Sequence, residues 1–323
     1  MLKTIYLVLP CYNEELVIED SADKLKSLML QMINEEKIAK DSKVYFVNDG
    51  STDQTWELLK KICEKEELFG AIGLSANCGH QSALLAGMMS VKNVCDAVIT
   101  LDADLQHDIM AIPRFVELFE EGYEIVYGVR NSRDGEKKLK KVTGDAFYNL
   151  MNLSGARIIK NHADYRLMSS RVICELQGYE ESNLFLRGII PTMGFKHTTL
   201  NYEEKPRLAG ESKYSMSKMI KLAADGITSF STRPLQAISF CGILFFFFSL
   251  IMLAYAIIEF IKAGTIPGWT STVAPVWLLG GIQLLALGVV GEYIGKIYME
   301  TKHRPRYIID EIIEAGKNAN KDD

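Results

Sequence analysis

The sequence predicts an α/β domain built on a mostly parallel sheet, followed by a hairpin of two membrane-crossing helices. Two observations carry the first half. Short β-branched and aromatic runs alternate with helical stretches up to about Lys205, and PCYNE, NDGSTD, DADLQ and GVR all fall where such a run ends. Alternation of that kind favours a sheet covered by helices on both faces, whose ligands gather at the C-terminal strand ends. The second half rests on a composition shift. No charged residue occurs from Ala237 to Ile258, nor from Ala263 to Gly291, and each run supplies the ~20 residues a helix needs to cross a bilayer.

Taken in order, TIYLVLP reads as a first strand stopped by Pro10, its apolar run too short for a signal peptide. Ile18, Ala22, Leu25, Met29 and Met32 then repeat at spacings of four, three, four and three, one face of an amphipathic helix. KVYFVNDG is a second strand, with Gly50 permitting a tight turn and Ser51 or Asp53 capping a helix through Trp56 and Leu59. AIGLSAN, CDAVITLDAD and YEIVYGVR continue the strands, with helices around Ser82–Val91 and Ile109–Glu121 between them. This domain is expected to span 1–212.

Over 213–234 the stripe of Met216, Met219, Ile220, Ala223, Ile227 and Phe230 predicts an amphipathic helix, lying on a membrane or packed against the domain. The spans are expected at about 236–261 and 272–298 within a hairpin of 235–299, with a tail over 300–323. Lys218, Lys221 and Arg233 precede the first span, Lys296, Lys302, Arg304 and Arg306 follow the second, and the connector carries only Lys262. That bias puts both termini and the α/β domain in the cytoplasm, as a multi-pass plasma-membrane protein. Gly280, Gly281 and Gly288 would allow close helix contacts and a homo-oligomer. A net charge of -5 argues against a broad nucleic-acid surface. The six cysteines form no CxxC pair, which disfavours a disulfide framework or zinc knuckle.

Asp102, Asp104 and Asp108 crowd together directly after the apolar run Val98–Leu101. They could be solvated loop acids, an acid/base pair with one raised pKa, or ligands sharing a divalent cation that removes their repulsion. Asp-Ala-Asp after a strand, with nucleotide-loop candidates at neighbouring strand ends, favours the cation. Tyr12 and Glu14 can meet a base and ribose, as can Asp49; Asp53 is better explained as a helix cap. No GxGxxG follows the first strand and no GxxxxGK[ST] occurs, which disfavours dinucleotide oxidoreductases and P-loop NTPases.

The ordered set LPCYNEE, VNDGSTDQT, NCGHQSALLAG, LDADLQHD, YGVR, HADYRLMS and RLAGESKY, followed by two spans, resembles the family 2 glycosyltransferases of the polyprenyl-phosphate type. These include dolichyl-phosphate mannose synthase and the bactoprenol glucosyl and N-acetylglucosaminyl transferases. The resemblance implies a GT-A fold and inverting transfer of a hexose or N-acetylhexosamine from a nucleoside-diphosphate sugar, UDP-glucose or UDP-N-acetylglucosamine, to undecaprenyl phosphate. It implies a Mg²⁺ or Mn²⁺ held by Asp102 and Asp104 with Gln106 nearby. Nucleotide-sugar contacts are then expected from Pro10, Tyr12, Glu14, Asp49, Ser51, Asp102, Ala103 and Asp104, and the resemblance makes Asp164 the catalytic carboxylate. This chain departs from relatives reading DADLQDP or DADLQHP in lacking the proline, so Asp108 is either an outer metal partner or a helix cap. His107 and His162 are expected to be structural or substrate-adjacent.

So many phosphate and carboxylate charges require cations. Arg130 and Arg166 are the candidates for the acceptor phosphate, and Arg130, Arg207 and Lys213 for the donor, although the last two could instead meet anionic lipid. Three rival readings are a membrane-anchored nucleotide-sugar sensor, a processive polysaccharide synthase, for which no Q-x-x-R-W occurs, and a transporter, for which the spans offer only Gln283 as a central polar residue.

Overall fold

The computed structural model describes residues 1–130, 159, 162–181, 185–203 and 269–316, with 235–236, 238–244, 247–248 and 251. Its contacts divide the chain into two units: Met1–Tyr148 with Arg157–Lys213 and Arg304–Asp323, and Asn149–Ala156 with Tyr214–His303.

The first unit follows the expected alternation. Its elements are β1 (Ile5–Cys11), α1 (Ile18–Asn34), β2 (Lys43–Asn48), α2 (Thr55–Lys65), β3 (Phe69–Leu74), α3 (His80–Val91), β4 (Ala97–Thr100), a 3-10 turn (Ile109–Ala111) and α4 (Ile112–Glu120). There follow β5 (Ile125–Arg130), β6 (His162–Ser169), α5 (Ser170–Leu176), α6 (Leu186–Thr192), β7 (His197–Tyr202) and, after the second unit, β8 (Ile309–Ile313). The strands form one sheet in the order β7-β5-β6-β4-β1-β2-β3-β8. β4, β1, β2 and β3 run parallel, as do β5 and β7, whereas β6 is antiparallel to both β4 and β5. β1 is central and buried along its whole length, the burial expected of a strand covered on both faces. The α1 stripe of Ile18, Ala22, Leu25, Met29 and Met32 lies wholly in the core.

Two expectations are corrected. Pro10 does not end β1, which runs on to Cys11 and pairs Pro10 with Val47. The Cys11 carbonyl accepts the Asp49 N–H on the β2 side, and the Val8 carbonyl accepts the Leu101 N–H on the β4 side. Pro10 therefore faces the β4 side beyond the last β4 pair, Val8 with Thr100, where its missing N–H costs no ladder bond. The second correction concerns the tail. Ile309–Ile313 returns as an antiparallel edge strand on β3, and the Ile308 carbonyl accepts the Ser75 N–H at 3.0 Å. Such pairing depends on residues more than two hundred positions away in the sequence, which local periodicity cannot register.

In the second unit, α7 (Trp269–Thr301) is a single helix of 33 residues, ~50 Å long at 1.5 Å per residue. Among the described residues one stretch, Ile282–Thr301, is long and apolar enough to cross a membrane. Phe240, Ile243, Leu244, Phe247, Phe248 and Ile251, from the expected first span, are helical with 54–66% of their surface exposed. The remainder of that span, and the helix expected over 213–234, lie outside the described residues.

Candidate active site

Three loops meet at the C-terminal ends of β1, β2 and β3, and hydrogen bonds knit them together. The Asn13 N–H donates to Ser51 Oγ at 3.0 Å, and the Thr52 N–H to Asn13 Oδ1 at 2.9 Å. The Glu14 N–H donates to Thr55 Oγ1 at 2.9 Å, and the Glu15 N–H to Asp53 Oδ2 at 3.2 Å. Asp53 also accepts the Thr55 N–H at 3.0 Å, at the start of α2, as a helix cap would. Gly50 turns with φ +61, and a Cβ there would lie 2.5 Å from the Asn77 backbone nitrogen, so the residue must be glycine.

Asp49 follows directly on β2 at the base of these loops. Buried to 3% exposure, it accepts the Cys78 N–H at 2.7 Å and the Gly79 N–H at 3.0 Å, one on each carboxylate oxygen. Burial raises its pKa against the pull of those amides. Its carboxylate braces the loop leading into α3. Pro10 is likewise buried in β1. Tyr12, 45% exposed, and the half-buried Glu14 do stand at the rim.

After β4 the chain alternates. Leu101, Ala103, Leu105 and His107 are buried, while Asp102, Asp104, Gln106 and Asp108 between them are half-buried. The inward set is anchored: Ser21 Oγ donates to the Ala103 carbonyl at 2.6 Å, and His107 stacks on Tyr165 at 5.0 Å between ring centroids. The outward set is an edge of hard oxygen donors. Asp104 accepts the Gln106 N–H at 3.2 Å and its Nε2 at 2.7 Å. Asp108 resolves as a cap, its Oδ1 accepting the Met110 N–H at 3.2 Å at the start of the 3-10 turn. Two carboxylates and an amide suit Mg²⁺ or Mn²⁺ in chemistry. Among the described residues, though, no group of three or more His, Cys, Asp or Glu side chains is gathered to hold an ion alone.

Asp164 on β6 is 4% exposed and lies at the centre of a cationic cluster. The fully buried Arg166 donates from Nη2 to Asp164 Oδ1. Arg187 of α6 donates from Nε to both carboxylate oxygens at 3.2 Å and from Nη2 to Oδ2 at 2.8 Å. His80, the first residue of α3, sets Nε2 3.5 Å from Asp164 Oδ2 and equally 3.5 Å from Asp102 Oδ1. Burial alone would lift the Asp164 carboxyl, but Arg166, His80 and Arg187 together hold it well below the usual carboxylate range. Burial likewise pulls His80 down, and the two carboxylates outweigh it, so the imidazole titrates above its ordinary value.

The edge of Asp102 and the cluster around Asp164 are thus brought together by one imidazole. Arg166, expected at the acceptor phosphate, is only 1% exposed, and its guanidinium is committed to Asp164. Arg130 ends β5, its Nε 3.4 Å from Tyr202 Oη. Arg207 and Lys213 lie outside the described residues. His80 and Arg187 had no role in the sequence reading. His80 sits inside the quoted NCGHQS, while a lone arginine in the apolar FLRGII was the available signal for the other.

Residues 6–174 match Glycosyl transferase family 2. The chain is also 37% identical over 307 residues to a bactoprenol glucosyl transferase of Shigella phage SfX, covering 94% of this chain and 98% of that protein. The chain belongs to glycosyl transferase family 2. Within the family, an uncharacterized glycosyltransferase of Bacillus subtilis, YkoT, is 45% identical over 94% of this chain and 90% of its own length. A solved mannosyltransferase of Pyrobaculum calidifontis, in complex with GDP-Man and Mn²⁺, shares 16% identity at a TM-score of 0.44, covering 93% of this chain and 85% of that one. At that distance the likeness carries no weight for chemistry. This family 2 glycosyltransferase has a GT-A-like α/β domain, and the matched segment runs from β1 into α5, ending before α6 and Arg187.

Proposed function

We propose that this glycosyltransferase moves a hexose or N-acetylhexosamine from UDP-glucose or UDP-N-acetylglucosamine to polyprenyl phosphate, with inversion, at the cytoplasmic face of the plasma membrane. The observation that carries the reading is His80, 3.5 Å from both Asp102 and Asp164. It joins an edge of oxygen donors suited to a metal–diphosphate with a cluster of arginines suited to phosphate. The similarity to bactoprenol glucosyl transferases supports the lipid acceptor, and the two apolar runs support its membrane setting.

Asp102 and Asp104, with the Gln106 amide oxygen, would hold Mg²⁺ or Mn²⁺. Two side-chain carboxylates and an amide oxygen are the hard donors such an ion would take. Such an ion, when bound, neutralises charge on a departing diphosphate. Tyr12 and Glu14 serve the nucleotide from the rim, while Asp49 and Ser51 act indirectly by fixing the loops beneath it. Arg130 meets a substrate phosphate, and Arg207 and Lys213 close over the donor. The proposed domains are 1–212 for catalysis, completed by β8 from beyond the spans, 213–234 along the membrane surface, and spans at 236–261 and 272–298.

Asp164 is given a positioning role in place of the general base implied by resemblance. A carboxylate held ionised by two arginines is a weak base. The acceptor hardly needs one, because the second pKa of a phosphate monoester is ~6 and the group is mostly dianionic at neutral pH.

The test is a product assay. Purified full-length protein with a panel of UDP-sugars, undecaprenyl phosphate and Mn²⁺ yields a sugar-linked lipid, and EDTA abolishes it. Donor binding without lipid product from any sugar would favour the sensor reading and overturn this one.

A further inference from the structure

We propose that His80 is a positioning residue: its imidazole fixes the Asp102 carboxylate for the divalent ion by tying it to Asp164. The inference rests on the ion-assisted transfer proposed above and deepens it, naming a side chain that acts on the ion through Asp102.

Asp102 meets an imidazole at each oxygen. His80 Nε2 lies 3.5 Å from Oδ1, and His107 Nε2 lies 3.7 Å from Oδ2. The two histidines are held differently. His107 is buried, stacked on Tyr165 and edge-on to Tyr202 at 5.5 Å between ring centroids. Its Nδ1 accepts the Asp102 N–H at 3.4 Å, so it belongs to the scaffold beneath the acidic edge. His80 comes from another element, the start of α3, and its side chain is 42% exposed. The residues on either side hold its backbone. The Gly79 N–H donates to Asp49 Oδ2 at 3.0 Å, and Gln81 Oε1 accepts the Leu186 N–H at 2.7 Å.

The surroundings of His80 Nε2 fix its role. The same nitrogen is 3.5 Å from Asp164 Oδ2, so a lone pair there would face two carboxylates. Nε2 therefore carries a hydrogen and serves as a donor. Asp164 is the fixed end of the tie: it is buried, and Arg166 and Arg187 both donate to it. Asp102, with its side chain 37% exposed, has more freedom to turn, and an N–H at Oδ1 restrains it. A carboxylate so restrained presents its remaining lone pairs to an ion in one direction. Loss of such an outer partner typically costs ~10–100-fold in metal affinity.

Full-length wild type, His80→Leu and His80→Gln are titrated with UDP, with and without Mn²⁺, and their melting midpoints are followed as Mn²⁺ is added. Leucine keeps the bulk and loses the donor, whereas glutamine returns an N–H. In His80→Leu the gain in UDP affinity that Mn²⁺ gives wild type is expected to fall by ~10–100-fold, with metal-free UDP binding unchanged. Glutamine should recover much of that gain. If leucine prevents folding, His80→Ala, which favours the first turn of α3, takes its place in the same titrations. A purely structural role weakens UDP binding equally with and without Mn²⁺; that outcome overturns the proposal, as does an undiminished Mn²⁺ effect in the donor-less variant. Absence of any Mn²⁺ effect in wild type overturns both the proposal and the metal site it serves. A Mn²⁺ effect present in wild type and lost without the donor supports the role of His80 even where no sugar-linked lipid forms, a result that counts against the proposed transfer alone.

Discussion

His162 shows at the scale of one residue how burial becomes pH dependence. It is 4% exposed, its Nδ1–H donates to the Ile159 carbonyl at 2.7 Å, and burial with Arg166 nearby pushes its pKa down to about 4. The unfolded chain, titrating near ~6.5, binds a proton that the folded chain refuses. The stability contributed is full above that value and is lost as pH falls toward about 4, a loss on the order of 3 kcal/mol. His162→Gln should remove most of this slope in melting curves taken between those pH values. A variant curve parallel to wild type would show that the imidazole is not held neutral. The sequence left His162 as structural or substrate-adjacent, since no zinc spacing surrounds it, and its burial was not written there. The pairing of Asp164 with Arg187 was not, because it joins β6 to α6 through side chains that no spacing rule relates.

Helix α3 is the element on which the site depends. Its first residues, His80 and Gln81, reach Asp164 and Leu186. Its middle lies so close to the sheet that a Cβ on Gly87 would come 2.5 Å from Val8 Cγ1 and 2.7 Å from Val47 Cγ2. Gly87→Ala sets two effects in opposition. Alanine favours the helix by ~1 kcal/mol, whereas overpacking a core costs ~1–3 kcal/mol. Both blocking atoms are on β-branched side chains of central strands, so the steric cost should win by about 1 kcal/mol. Denaturant unfolding measures this directly, and a stabilised Gly87→Ala would mean that α3 can lift freely. Strands β1 to β5, α1 and their alternation were readable because each is written in a local period of hydrophobicity, whereas β6 and β7 were not named as strands. The return of β8 to the edge of β3 was not, nor was the antiparallel entry of β6 between β4 and β5. Both are choices of partner, and partners are set by the packed whole.

Across the molecule, the arrangement sorts charge by place. The sheet interior is apolar, and the chain after β4 alternates so that Asp102, Asp104 and Gln106 face outward from it. The buried charges around Asp164 are matched by Arg166 and Arg187. Long apolar segments outside this domain leave large side chains on the surface, such as Leu284 at 72% and Leu287 at 66% exposure, an exposure costly in water and natural in lipid. The role proposed for the acidic edge is to hold a divalent ion together with the donor diphosphate. Calorimetric titration of full-length protein with UDP, with and without Mn²⁺, tests it in wild type and in Asp104→Ala. The account predicts tight binding only for wild type with Mn²⁺, weakened at least ~10-fold by either change. Equal UDP affinity in all four titrations would contradict it.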